Sequence, residues 1–301
     1  MSISQYIKEI GRGKEGARAL SRAQAADLFG QVLEGAVTDL EIGAFCIAMR
    51  IKGETPEEMA GFLDATYTRL HRVPAGGQSV VVLPSYNGAR KLPVLTPLLA
   101  LLVARRGLPV LIHGTDTESS RVFVPRVLQA LGIHPLPAIR AIAAGEAVYL
   151  PTEMLSPGLK RLLDVRRTVG LRNSSHSLVK LMNPCAGPAV IVSSYTHAEY
   201  AQAMGAVFEL MGSTALLLRG TEGEVVADAR RLPRMDGFVR GQRQTLEEGQ
   251  KGTLTNMPDF PRDIDAETTA AYIQDVLAGR TPVPQSLVLQ VEHILRLARS
   301  L

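Results

Sequence analysis

The sequence predicts an α/β protein with a small all-helical N-terminal domain and a larger α/β domain built on a mostly parallel sheet. Two observations support this prediction. Helix-start signals recur through the first 73 residues of the 301-residue chain. From residue 79 onward, short apolar runs alternate with segments of helical spacing, which is the pattern of parallel strands covered by helices.

Capping boxes mark the helices of the first domain. In this motif a hydroxyl side chain accepts a backbone N–H bond, and a Glu or Gln three residues later reaches back to the cap. The pairs are Ser21–Gln24, Thr38–Glu41 and Thr55–Glu58. We predict a helical domain over residues 1–73, joined by helices from residues 157–182, a hinge at residues 74–78 and an α/β domain over residues 79–301.

Apolar runs of strand length mark the second domain. The predicted strands are Val80–Leu83, Leu108–Ile112, Ala147–Leu150, Ala189–Val192 and Ala215–Leu218. Segments with helical spacing lie between most of them, and residues 157–182 form a helical insertion. Residues 219–262 are polar and poor in helix signals, whereas the tail from Ala266 indicates two helices.

Composition places the chain in a broad class. No apolar run reaches the length of a membrane span, and the N-terminus lacks the order of a signal peptide, so we expect a cytoplasmic protein without a membrane partner. Cys46 and Cys185 lie in apolar surroundings and are expected to be buried thiols. The net charge of +4 favours an anionic partner only weakly, so the argument for such a partner depends on where basic residues cluster along the chain.

Three motifs resemble those of the anthranilate phosphoribosyltransferase superfamily, whose fold pyrimidine nucleoside phosphorylases share. The segment DVRRTVGLRNSSHSLVKLMNP, residues 164–184, resembles the family's substrate segment. HGTDTESS, residues 113–120, resembles its K-H-G-N-R-x-x-S-S loop for phosphoribosyl diphosphate. LRGTEGEVV, residues 218–226, lies where the family has H-G-x-x-G-L-D-E. The order of helical and α/β parts is also similar.

Departures from these motifs affect the chemistry. The family's glycine-rich loop G-T-G-G-D, which wraps a diphosphate with backbone amides, is PSYNG here, residues 84–88. The carboxylate pair that holds magnesium in the family falls on Val225 and Val226, and valine offers no oxygen ligand. We therefore expect the amide cradle to be lost, no cofactor, and no phosphoribosyl transfer.

This pattern is similar to the YbiB-type branch of the superfamily, whose members keep the fold and dimer and bind nucleic acid without sequence preference. The resemblance implies a DNA or RNA partner. It also implies a homodimer through the N-terminal helical domain, where Phe29, Phe45 and Phe62 are expected to offer apolar surface. Few aromatic residues, 5% and no Trp, indicate contacts to the phosphate backbone instead of extensive base stacking.

Charge is distributed unevenly along the chain. Residues 84–106 carry a net +4, residues 158–182 a net +5 and residues 219–243 a net +2, whereas residues 244–276 carry a net −5. The basic segments are those that line the family's cleft, as a polyanion-binding protein would require. The candidate nucleic-acid or phosphate contacts are Arg90, Lys91, Lys160, Arg166, Arg167, Arg172, Lys180, Arg219, Arg230, Arg231 and Arg234. A possible anion pocket comprises His113, Gly114, Ser119, Ser120 and Asn173.

Several residues also admit structural roles. Ser119 and Ser120 could cap the next helix, and arginines such as Arg166 and Arg172 could pair with carboxylates. The alternative function is a phosphoribosyltransferase, transferring a pentosyl group with magnesium held by Glu222 or Glu224. A metabolite sensor that kept only an anion pocket is a third hypothesis.

Overall fold

The computed structural model describes residues 2–13, 15–252 and 260–301. Its helices are α1 (Ser4–Ile10), α2 (Arg22–Glu34), α3 (Asp39–Lys52), α4 (Pro56–Tyr67), α5 (Thr96–Ala104), α6 (Val124–Ala130), α7 (Thr152–Leu155), α8 (Pro157–Val169), α9 (Ser175–Leu178), α10 (Ala198–Leu210), α11 (Ala266–Leu277) and α12 (Gln285–Ala298). Its strands are β1 (Val80–Ser85), β2 (Val110–Gly114), β3 (Ala147–Pro151), β4 (Ala189–Tyr195), β5 (Ala215–Arg219), β6 (Met235–Val239) and β7 (Gln242–Glu247). The five predicted strands are confirmed, and each ends one to three residues later than predicted.

The chain divides into two compact units. A helical unit comprises Met1–His71 and Thr152–Pro184, and an α/β unit comprises Arg72–Pro151 and Cys185–Leu301. Cys46 lies in the first unit and Cys185 in the second, and both are buried free thiols, as predicted. None of the helices in the described part of the chain is long and apolar enough to cross a bilayer.

The helical unit is organised by the predicted capping boxes. The hydroxyls of Ser21, Thr38 and Thr55 each accept a bond from the backbone N–H three residues later, and the reciprocal side-chain bond forms in all three boxes. These bonds satisfy N–H groups that the first helical turn leaves without partners. The predicted insertion begins with α8, which ends at Gly170 in the left-handed conformation (φ 76°), and the short α9 follows.

An aromatic cluster forms the core of the helical unit. Phe29 stacks on Phe62 with ring centroids 4.6 Å apart, and Phe45 meets both rings edge-on at 6.3 and 5.9 Å. All three side chains have 0% exposure. The expectation that they provide dimerisation surface is therefore wrong, because their rings already bury one another inside the unit.

The α/β unit contains a seven-stranded sheet in the order β3-β2-β1-β4-β5-β6-β7. The first five strands in this order are parallel, as predicted, and β6 and β7 are antiparallel additions. Residues of α5, α6, α11 and α12 form one apolar core with the sheet. On the other face of the sheet, Phe208 of α10 packs against Phe238 of β6 with the ring centroids 5.4 Å apart.

Candidate functional site

The loop after β1 holds a buried carboxylate. The backbone N–H groups of Asn87 and Gly88 donate to Glu224 Oε1 at 2.8 and 2.9 Å. The hydroxyls of Ser85 and Thr96 donate to Glu224 Oε2 at 2.7 and 2.9 Å. Glu224 is only 3% exposed. The loop thus holds an arrangement of donors suited to an anion, and in this chain Glu224 supplies that anion.

A second carboxylate binds the next part of the same loop. Glu222 Oε2 accepts from the N–H of Arg90 at 2.6 Å, and Glu222 Oε1 accepts from the N–H of Lys91 at 2.9 Å. The side chains of Arg90 and Lys91 are exposed. The two cations therefore present their charge to solvent while their backbone amides are already bonded.

The two carboxylates named for the alternative magnesium site are engaged in hydrogen bonds within the chain. Val225 and Val226 are buried in the apolar core with exposures of 0 and 1%. Glu224 is held by four hydrogen bonds inside the loop, and Glu222 is held by backbone amides. Within the described residues, no three His, Cys, Asp or Glu side chains are grouped so that they could hold a metal ion.

His113 is buried at the end of β2. Its exposure is 0%, its Nδ1 lies 2.8 Å from the hydroxyl of Tyr86, and its Nε2 is buried with no hydrogen-bond partner among the described residues. Burial lowers the pKa of His113 to about 3. Gly114 follows it, at a point where a Cβ would lie 1.9 Å from the carbonyl oxygen of Ser85. Both of these predicted anion-pocket residues are therefore buried in the sheet and do not lie on an open surface.

Ser119 and Ser120 are exposed. The Ser120 hydroxyl donates to Glu118 at 3.0 Å, and α6 has Phe123 as its N-cap residue, without a side-chain cap bond. The structural interpretation of these serines as helix caps is therefore wrong, because the helix begins several residues later.

In the helical unit the predicted basic residues lie on α8, in the turn after it and, for Lys180, just after α9. Lys160 pairs with Asp164 one helical turn away, and Arg167 Nε lies 3.3 Å from the same carboxylate. Arg166 and Arg167 occupy the last turn of α8, where cations interact favourably with the helix dipole.

His176 lies inside this basic region. The pKa of His176 is lowered to about 3, first by burial and then by the positive charges of Arg172, Arg166 and Lys180. Its Nδ1 lies 3.3 Å from the backbone N–H of Asn173, and its Nε2 has no hydrogen-bond partner in the described part of the chain. Three cations therefore lie close enough to His176 to disfavour its protonated form.

Two of the predicted contacts in this unit are buried. Lys180 is 8% exposed and Asn173 is 7% exposed, so neither presents its side chain on an open surface. The amide of Asn173 donates to the carbonyl of Leu162 at 2.7 Å and therefore anchors the turn to α8.

The remaining arginines lie near β5 and β6. Arg219 ends β5 and is exposed. Arg230 forms a two-bond pair with Asp228 at 2.9 and 2.8 Å, and Arg231 donates to the carbonyl of Gly252 at 2.6 Å. Arg234 contacts the buried Asp236 at 3.1 Å. Arg230, Arg231 and Arg234 are thus partly committed to internal partners, which reduces the charge they offer to a polyanion.

Comparison with known proteins establishes the relationships of this chain. Residues 4–69 match the family described as glycosyl transferase family, helical bundle domain. The sequence is 40% identical to the uncharacterized protein YbiB of Escherichia coli (strain K12), over 97% of this chain and 92% of the relative. The chain belongs to the anthranilate phosphoribosyltransferase superfamily, glycosyltransferase family 3.

More distant members of the superfamily are enzymes. Anthranilate phosphoribosyltransferase of Methylobacterium nodulans is 27% identical over 99% of this chain and 89% of the relative. The Thermus thermophilus enzyme superposes with a TM-score of 0.73 at 20% identity, covering 97% of this chain and 93% of that one. The Saccharomyces cerevisiae enzyme in complex with PRPP and Mg gives a TM-score of 0.70 at 14% identity, with 99 and 88% covered. These structural likenesses confirm the predicted superfamily fold.

The hydrogen bonds of Glu222 and Glu224 are the main feature that sequence reasoning missed. The sequence offered these residues as magnesium ligands only under the alternative function, and both accept bonds from the loop after β1, more than 130 residues earlier in the chain. A sequence signal was present, because Gly220 precedes this pair, Gly223 lies between its members, and glycines permit close backbone approach.

Proposed function

We propose that this chain is a cytoplasmic protein that binds DNA or RNA through contacts to phosphate, without sequence preference, and that it does not transfer phosphoribosyl groups. The observation that carries the proposal is the net charge of +5 over residues 158–182, which include α8 and the turn after it. Arg166, Arg172 and Lys180 all depress the pKa of the neighbouring His176. A nucleic-acid backbone, which carries one negative charge at each phosphate, is a polymer that such positive charge attracts.

Exposed cations of the α/β unit support the same proposal. Arg90 and Lys91 follow the carboxyl end of β1, and Arg219 ends β5. The carboxyl ends of parallel strands form one edge of the sheet, where α/β proteins commonly bind ligands. The exposed side chains of these three residues therefore suit phosphate groups as partners.

Two features favour binding over phosphoribosyl transfer. The loop amides that a diphosphate would need are bonded to Glu222 and Glu224. The positions of the superfamily's magnesium ligands are buried valines, Val225 and Val226. A binding function needs neither the leaving group nor the metal, and it uses only the charge that the surface retains.

We further propose a homodimer through the helical unit, with α3 at the interface. Leu40, Ile47 and Ile51 are 83, 36 and 66% exposed. Their spacing places them on one side of α3. This stripe replaces the three buried phenylalanines as the apolar surface available to a second copy of the chain.

Fluorescence anisotropy with random-sequence single- and double-stranded DNA and RNA, measured over a range of salt concentrations, tests the main proposal. For duplex DNA we expect log K to fall linearly with log salt, with a slope of about −0.9 for each phosphate contacted. Changing Arg166, Arg167 and Arg172 together to Glu is expected to weaken binding at least about tenfold and to reduce the slope by about 3.

A charge-matched control separates a local site from net charge. Changing Arg126, Arg262 and Arg299 to Glu alters the total charge equally at exposed positions outside the α8 region, and this variant is expected to bind nearly as the parent does. Equal losses in the two variants would show that only net charge matters. Absence of any binding at low salt would refute the proposed function.

A further inference from the structure

The loop between β1 and α5 has the donor geometry of an oxyanion site. Backbone N–H groups of Asn87, Gly88, Arg90 and Lys91 all point to carboxylate oxygens that belong to Glu222 and Glu224. Clusters of neighbouring backbone N–H groups form nests that bind phosphate and other anions. In this chain the anions within the nest are supplied by its own side chains.

The buried part of this nest, around Asn87 and Gly88, donates both of its backbone N–H groups to the carboxylate of Glu224. Glu224 accepts two backbone bonds at one oxygen and two hydroxyl bonds at the other, at 2.7 to 2.9 Å. With Glu224 only 3% exposed, a second anion at these donors would meet a buried negative charge without water to screen it. A diphosphate and this carboxylate therefore exclude each other.

The segment that carries the two carboxylates is held firmly in place. Gly223 has a φ of 88° and its carbonyl accepts from the Ser194 hydroxyl at 2.8 Å. A Cβ on Gly223 would lie 1.6 Å from the side-chain nitrogen of Asn87, and one on Gly220 would lie 1.8 Å from the carbonyl oxygen of Glu224. Glu222 itself adopts a φ of 53°, which is uncommon for a residue other than glycine. The close packing of this segment against the loop after β1 shows that the two carboxylates are built into the fold and are not chance surface contacts.

The residues present do not fit the ligands that the superfamily implies. Phosphoribosyl diphosphate would need the amides that Glu224 occupies, and magnesium would need oxygen ligands where Val225 and Val226 are buried. We propose that Glu222 and Glu224 form a carboxylate plug, which fills the oxyanion nest of the loop and closes it to phosphorylated ligands. A small oxyanion then binds a pair of loop amides only when the carboxylate that occupies that pair is removed.

Chemical rescue tests this proposal independently of nucleic-acid binding. Glu224→Ala leaves the two amides and two hydroxyls without an acceptor, so the variant is expected to melt at a lower temperature than the parent. Formate or acetate, compared with chloride at equal ionic strength, is expected to recover about half or more of that loss in a saturable manner. The parent is expected to respond equally to formate and chloride.

Matched variants make the result specific. Glu224→Gln keeps the space filled and should show no rescue, and Glu209→Ala removes an exposed glutamate of α10 and should behave as the parent. If Glu224→Ala is unfolded in chloride, the same series is applied to Glu222→Ala with inorganic phosphate as the probe, because this carboxylate is half-buried and its loss is milder. Equal responses to oxyanion and chloride in the variant used would overturn the proposal.

A calorimetric titration of the parent provides a second criterion. We expect no heat of binding with phosphoribosyl diphosphate and magnesium. Micromolar, metal-dependent binding by the parent would show that the plug does not close the nest. Failure of nucleic-acid binding would leave these outcomes unchanged, since they concern only the loop after β1.

Discussion

Two buried histidines predict a strong loss of stability in mild acid. His113 in the α/β unit and His176 in the helical unit each have a pKa lowered from 6.5 to about 3. The folded chain therefore keeps both imidazoles neutral at pH values where the unfolded chain binds protons. Stability that is fully present above pH 6.5 is lost as the pH falls toward 3.

The magnitude follows from the shift. Between pH 6.5 and 3, each neutral histidine reduces the free energy of unfolding by about 1.4 kcal/mol for every pH unit. At pH 4.5 the loss is therefore about 2.7 kcal/mol for each histidine, and each compact unit contains one of them. This is a large part of the stability of an ordinary domain.

Urea unfolding at a series of pH values from 7.5 to 4.5, in steps of about half a unit, measures the effect. His113→Gln is expected to be less stable than the parent at pH 7.5, yet to lose less stability on acidification, because the residue that must be protonated is gone. His134→Gln replaces an exposed histidine and should reproduce the parent's profile. If His113→Gln shows the parent's full dependence on pH, or if the ring of His113 titrates near pH 6.5 by NMR, the reasoning is refuted.

Three further changes test the packing and the assembly. The Glu58 carboxylate has 0% exposure and lies 2.6 Å from the ammonium of Lys52. Glu58→Gln removes the negative charge of this pair and should reduce the free energy of unfolding by about 3 kcal/mol in urea titrations. Gly223→Ala should cost at least about 2 kcal/mol more than Gly212→Ala, since both have positive φ but only the former would clash, at 1.6 Å, with an asparagine amide. Ile51→Asp should shift sedimentation from dimer to monomer, because it places a charge in the exposed stripe of α3.

Each of these expectations has a contrary result. A loss below about 1 kcal/mol for Glu58→Gln would mean that the buried pair contributes little. Equal costs for the two glycine substitutions would show that the turn around Gly223 adapts. A parent that sediments as a monomer, or an Ile51→Asp variant that remains dimeric, would remove α3 from the proposed interface.

Local patterns predicted much of the fold. The capping boxes at Ser21, Thr38 and Thr55 are confirmed, since cap and partner are only three residues apart and the interaction is encoded within one turn. The five parallel strands are confirmed because strands buried on both faces are nearly continuous apolar runs. The hairpin of β6 and β7 was not predicted, since most of β7 is exposed and polar.

The candidate site was predicted less completely. Arg90, Lys91 and Arg219 are exposed, as expected for residues that contact a polyanion. Lys180 and His113, which were also predicted as site residues, are buried. A count of charges along the chain does not distinguish a surface cation from one enclosed by packing. For the same reason it did not reveal that Arg230 and Arg234 are paired with Asp228 and Asp236.

The sequence by itself determined the superfamily, the order of most helices and of the five parallel strands, and the presence of valines at positions 225 and 226, because these depend on residue identity and short-range spacing. Only the tertiary structure decided what occupies the loop after β1. Glu224 reaches the amides of Asn87 and Gly88 across more than 130 residues of chain, and no local pattern specifies such a contact. A glutamate in a polar turn looks like a metal ligand or a solvated charge until the fold brings it to four unsatisfied donors, whose burial makes a matching acceptor necessary.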